Sequence, residues 1–151
     1  MGPNDISIML ARVAETAGWQ SVTAYETSGL WVVELDAETE VAIQVEAERG
    51  LIYATVDAGA LADATGSADE TIRLLMTMNG EAAATGGLAF GLSPDGARIT
   101  LAAPFALQGA EAALAAGLPA LAARAGQWRT VLTAPAEPAQ PLSGDEMVMR
   151  V

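Results

Sequence analysis

The sequence predicts an α+β sandwich in the order helix, three antiparallel strands, helix, β-hairpin, helix. Three observations carry that class. Between Leu30 and Asp57 apolar residues alternate in three short runs joined by tight links. Ser93-Pro94-Asp95-Gly96 stands between two further alternating runs. Apolar residues recur at spacings of three and four near the amino terminus, after Ser67 and after Gly109. A chain of 151 residues forms one domain by length. We place that domain at residues 1–132 and read 133–151, which carries Pro135, Pro138 and Pro141, as an extended, disordered tail.

The first helix is expected from Asp5 to Ala17, with Ile6, Met9, Leu10, Val13 and Ala17 on one face. Asn4 or Asp5 caps its start and Gly18 closes its end. Ile8 falls off that stripe: either it is covered by its own domain, or it belongs to an exposed patch for a partner.

In the meander, Trp31, Val33 and Leu35, then Val41, Ile43 and Val45, then Ile52, Ala54 and Val56 alternate, and these are expected to face the core. The other face carries Glu34, Asp36, Glu40, Gln44 and Glu46, together with the apolar Leu30, Val32, Leu51 and Tyr53. Those four have no reason to be apolar on a purely solvated face. Alternate acids at Asp36, Glu38 and Glu40 do not make a calcium loop. Val41 stands where the sharp-turn glycine belongs and Ala47 where the bidentate glutamate belongs.

Ser67 and Glu70 form a capping box that opens a second helix through Met78. Ile72, Leu75, Met76 and Asn79 lie along one side, Leu74 and Met78 along another, so this helix needs two apolar partners, within the domain or in a second subunit. In the hairpin Leu88, Phe90 and Leu92 alternate, as do Ile99, Leu101 and Ala103, and Gly96 supplies the left-handed turn position. Pro104 is expected to stop the second strand, because it cannot donate to the ladder. The last helix has Leu114, Leu118, Leu121, Ala125, Trp128 and Leu132 on one stripe. Gly117 and Pro119 are expected to kink it or divide it into two pieces.

Composition removes several chemistries. With no histidine and no cysteine there is no Ser-His-Asp or Cys-His nucleophile, no usual zinc site and no disulfide. With seven arginines and no lysine there is neither a phosphate-loop lysine nor a Schiff base. A net charge of −12 repels phosphate backbones and anionic lipid, so neither nucleic acid nor a membrane is an expected partner; a neutral or basic polypeptide is. No cofactor and no metal are expected. The absence of cysteine and of a signal peptide's basic start leads us to expect a cytoplasmic protein.

The order of elements, joined to certain motifs, resembles the type III secretion chaperones of the Tir chaperone (CesT) type. Those motifs are Asn79, Thr85 to Gly87, Gly91-Leu92, the Pro94-Asp95-Gly96 turn and a last helix ending in Trp128-Arg129. Acids near Leu35-Asp36 and a sequence pI of about 4.1 also fit. The resemblance runs from about Asp5 to Leu132. It implies a non-enzymatic homodimer that holds the amino-terminal segment of a secreted effector in an extended, export-competent form. It also implies dimer contacts on the second helix, giving Leu74 and Met78 a reason to be apolar. Effector contacts would fall on Ile8, Leu30, Val32, Leu51 and Tyr53, the apolar residues outside the expected core.

Two other classes stay open. A protein of the same fold acting as a regulator or scaffold would bind a folded partner instead. An enzyme would have to work with carboxylates and arginine, and Asp57, Asp63, Asp69 and Arg73 are the nearest suitable group. Loop and helix-capping roles explain those four equally well.

Overall fold

Alternating side chains and short links fold the chain between the first two helices into an antiparallel meander. This is a computed structural model, and it describes residues 1–25, 27–81 and 87–135. The strands are β1 (Ser21–Tyr25), β2 (Leu30–Asp36), β3 (Thr39–Glu46) and β4 (Leu51–Ala60). The hairpin strands β5 (Ala89–Leu92) and β6 (Arg98–Ala106) complete one six-stranded antiparallel sheet in the order β1-β2-β3-β4-β6-β5. Among the described residues three α-helices accompany it: α1 (Pro3–Ala17), α2 (Ala68–Gly80) and α3 (Ala110–Thr133). The expected α+β class and order of elements are met, and the sheet carries one strand more than the alternation indicates, β1.

One face of the sheet makes the core. Trp31, Val33, Val41, Ile43, Ile52, Ala54, Val56, Ile99 and Leu101 are buried there, as the alternation predicts, and Leu35 and Val45 pack partly against them. They meet Ile6, Met9, Leu10 and Val13 of α1 and Leu114, Leu118, Leu121 and Ala125 of α3. Each large side chain so buried contributes about 1.5–3 kcal/mol, which makes this layer the main source of stability. The indole N–H of Trp31 donates to Ser7 Oγ at 2.8 Å, which satisfies the one polar atom the ring brings inside.

Several local expectations are corrected. The helix α1 starts at Pro3 behind Gly2, and Asp5 acts from inside the first turn, its carboxylate accepting the Gly2 N–H at 2.8 Å. Ala14, not Ala17, completes its buried face. Met76 on α2 is exposed, although its spacing groups it with the buried Leu75.

Pro104 does not end β6. It pairs with Tyr53 of β4 and the strand runs on to Ala106. The reason is its neighbour: β5 pairs with β6 only as far as Ala102, so beyond that point β6 is an edge on that side among the described residues. A strand edge is where a missing N–H costs least.

Likewise α3 is one helix of 24 residues with Pro119 inside it. Gly117 is there for space: a Cβ at that position would lie 2.3 Å from Phe105 Cε1. The expected stripe is otherwise met, with Trp128 half-buried and packed edge-to-face on Phe90, ring centroids 5.0 Å apart. The Pro-rich tail falls mostly outside the described residues.

Candidate partner-binding surfaces

The face of the sheet turned away from α1 and α3 is the most distinctive surface. Residues directly opposite in an antiparallel sheet share a face, so the register sets out its rows. One row crosses all six strands: Thr23, Val32, Ala42, Thr55, Ala102 and Ala89. The next runs Tyr25, Leu30, Gln44, Tyr53 and Pro104. Neither row contains a charge. Acids border them, with Glu34 opposite Glu40 on one side and Glu46 opposite Leu51 on the other.

Four of the five residues expected to bind a partner therefore share one face. Leu30, Val32, Leu51 and Tyr53 are all half-buried, shielded by their strand neighbours and by no helix among the described residues. The hydroxyl of Tyr53 accepts from Arg49 at 3.2 Å, and Arg49 also pairs with Glu46. Ile8 does not join them. It sits on α1, on the helical side of the sheet, 51% exposed, and lines a shallow groove of about 670 Å³ with Met9, Arg12, Leu107 and Ala110.

The residues expected at a dimer contact differ from each other. Leu74 is 45% exposed, whereas Met78 packs against the core. Met78 also borders a cavity of about 310 Å³ with Leu88, Phe90, Trp128 and the exposed Val131. Most of its lining is apolar, and Arg124 and Gln127 complete it.

The carboxylate and arginine group is not assembled as the sequence suggests. Asp57 pairs with Arg98 through both carboxylate oxygens, Nε lying 3.0 Å from Oδ1. Arg129 of α3 donates to the Asp57 carbonyl at 3.1 Å and lies 3.8 Å from its carboxylate. Arg73 makes no ion pair with Asp57, and Asp69 sits in the first turn of α2 beside the Ser67 cap. Burial pushes the Asp57 carboxyl up, but the Arg98 hydrogen bonds, the Gly59 N–H and the two guanidinium charges outweigh it and hold the group below the ordinary 3.8. A charge neutralised on both sides at a β-bulge ties α3 to the sheet.

Sequence reasoning missed one polar arrangement on this side of the molecule. Asn79, at the end of α2, donates its amide N–H to the Phe90 carbonyl at 2.8 Å and accepts the Phe90 N–H at 2.7 Å. The signal available in the sequence was an amide side chain on a mostly apolar stripe.

With this geometry in place, comparison with known proteins adds the fold. No family model matches the chain, and no curated protein does. Solved structures share the architecture, among them the following two. A chain of the ExsC-ExsE complex superposes with a TM-score of 0.65 at 21% identity, covering 89% of this chain and 97% of the other. A chain of the HopA1-SchA chaperone-effector complex gives 0.62 at 11% identity, covering 82% and 92%. The likeness is one of fold. It extends over nearly the full length of both neighbours, so the helix-flanked sheet described above is their common architecture. No helix among the described residues is long and apolar enough to cross a membrane.

Proposed function

We propose that the protein is a non-enzymatic chaperone of the type III secretion kind, which binds the extended amino-terminal segment of a secreted effector and keeps it competent for export. The observation that carries this reading is the pair of adjoining uncharged rows on a sheet face that no helix among the described residues covers, on a fold shared along nearly its whole length with a chain from a chaperone-effector complex. An extended segment can lie across the rows of Leu30, Val32 and Tyr53, with its alternate side chains against them. Ordering such a segment costs about 2–5 kcal/mol, so several apolar contacts must offset it. Leu51 lies one row further along, and Ile8 forms a second, separate anchor on α1.

The bordering acids and the net charge of −12 favour a neutral or basic cargo segment. The chaperone works in the cytoplasm as a homodimer. Leu74 is 45% exposed, which supports a subunit contact along α2, with Met78 behind it.

Affinity capture from the source organism, followed by mass spectrometry, tests the reading. Recovery of one larger protein, held through its amino-terminal segment in an unfolded form, is the expected result. A partner captured through a folded domain would replace this reading with the regulator or scaffold. Turnover of a small substrate would replace it with an enzyme.

A further inference from the structure

The helix α3 is apolar or small nearly all the way round, and Glu111, Arg124 and Arg129 are its only charged residues. Such a helix needs cover on more than one side. The sheet and α1 cover the side of Leu114, Leu118, Leu121 and Ala125. A second side stays open, with Val131 60% exposed and Trp128 half-buried.

Two cavities adjoin along that open side. The cavity of about 310 Å³ described above runs from Val131 and Trp128 to Gln127 and Arg124. Another, of about 600 Å³, continues from Gln127 and Arg124 to Phe105 and Gly117. Because they share Leu88, Arg124 and Gln127, they form one trough alongside α3. Arg124 is the only charged residue in either lining. Among the described residues it makes no ion pair, whereas Arg12, Arg49, Arg98 and Arg129 each lie against a carboxylate. An unpaired guanidinium between apolar walls suits a carboxylate flanked by apolar side chains.

The chain carries such a segment. After Pro135, Pro138 and Pro141 the sequence turns apolar again, with Leu142, then Asp145 and Glu146, then Met147-Val148-Met149. Residues 142–151 lie outside the described ones. Segments that stay unfolded are poor in apolar side chains, and this one is not. Methionines also adapt well to an irregular surface.

Where the segment starts and how far it reaches both fit the trough. Thr65 donates its N–H to the Leu132 carbonyl at 2.8 Å and its hydroxyl to the Ala134 carbonyl, so the chain leaves α3 beside Val131, at the mouth of the trough. Residues 135–141 give room to reverse direction. Arg124 lies about 10 Å from Val131 along the helix, and an extended chain that passes Val131 at Leu142 reaches that point by Asp145.

We propose that residues 142–151 are the occupant of this trough, running back along α3 with Asp145 paired to Arg124 and Met147 and Met149 packed toward Phe105. This docking replaces the disorder expected of the tail for residues 142–151 only. Tethering favours this occupant over a second copy, because a short linker holds the segment at an effective concentration of roughly millimolar. While the segment is in place the open stripe of α3 is closed to other polypeptides, and a partner that uses that stripe has to displace it. None of Leu30, Val32, Leu51 and Tyr53 lines the trough, so the docking is independent of the cargo reading.

Amide hydrogen exchange on the full chain, read by mass spectrometry on fragments spanning 142–151, tests the docking against a synthetic peptide of the same residues. Exchange in the chain is expected to be about tenfold slower than in the peptide. Exchange at the peptide's rate overturns the proposal. Arg124 is exposed, so Arg124→Glu leaves the core intact. It should lower the protection about threefold, and adding Asp145→Arg should restore it. Val131→Asp should also lower it, whereas Thr130→Asp, on the same turn but outside the lining, should not. Protection that neither Arg124→Glu nor Val131→Asp changes, or that Thr130→Asp lowers equally, overturns this site. At about tenfold lower protein concentration the protection should be unchanged. Protection lost on dilution assigns the trough to a second copy and overturns the intramolecular occupant.

Discussion

The Phe105 ring occupies the space beside Gly117, so closely that a Cβ on residue 117 would stand 2.3 Å from Cε1 and 2.8 Å from Cζ. An alanine there would gain helix propensity and lose the packing, and the second effect is larger. Gly117→Ala should destabilise by about 1–3 kcal/mol, the usual cost of overpacking. Gly126, on the same helix, is the control. Among the described residues, no atom beyond its chain neighbours and its own helix backbone lies within 4 Å of a Cβ built there, so Gly126→Ala should stabilise by about 0.5–1 kcal/mol. Urea denaturation of the two variants checks both signs.

Asp57 gives a pH dependence. Its carboxyl is held below 3.8 in the folded protein by Arg98, Gly59 and Arg129. A group with a depressed folded pKa contributes stability that is fully present above its unfolded value and lost as pH falls through the folded one. The protein should therefore lose part of its stability below pH 3.8, and Asp57→Asn should lower stability at pH 7 while flattening that acid limb. Thermal melts from pH 7 to pH 2 measure it; an acid limb identical in the two proteins would show that Asp57 is not a source.

Much of the fold was legible because burial leaves a pattern. Trp31, Val33, Val41, Ile43, Ile52 and Val56 alternate since one face of their strands is covered, and Leu114, Leu118, Leu121 and Ala125 repeat since one face of α3 is. The strand β1 left no such trace. Ser-Val-Thr-Ala-Tyr forms an edge strand whose last three residues are exposed, so nothing forces it to alternate. Pro104 and Gly117 read as breakers because what tolerates them is remote in sequence: the end of β5 for one, the Phe105 ring for the other. The Asn79 contact with Phe90 and the pairing of Asp57 with Arg98 and Arg129 are likewise products of tertiary structure. Of the candidate surface, the apolar residues off the core were readable, but not that Ile8 lies on a different layer from the other four.

The sheet face can be tested by truncation. Val32→Ala and Tyr53→Ala should each weaken capture of the polypeptide partner about tenfold, the scale of an interface anchor. Both side chains are half-buried and outside the core, so the circular dichroism spectrum and the cooperativity of unfolding should be retained. Loss of the fold in either variant would contradict their assignment to a binding face.

Subunit contact along α2 predicts that Leu74→Glu dissociates the homodimer at micromolar concentration, measured by light scattering. Leu74 is 45% exposed and its replacement disturbs little within the monomer. An unaltered mass for Leu74→Glu, or a monomeric parent protein, would contradict that contact.

The most direct test of the central claim is limited proteolysis of the captured complex, followed by amide hydrogen exchange on the fragment that stays bound. The account predicts a short amino-terminal fragment that is unfolded when released and gains protection only when bound. A bound fragment that is a folded domain, equally protected free and bound, would contradict it.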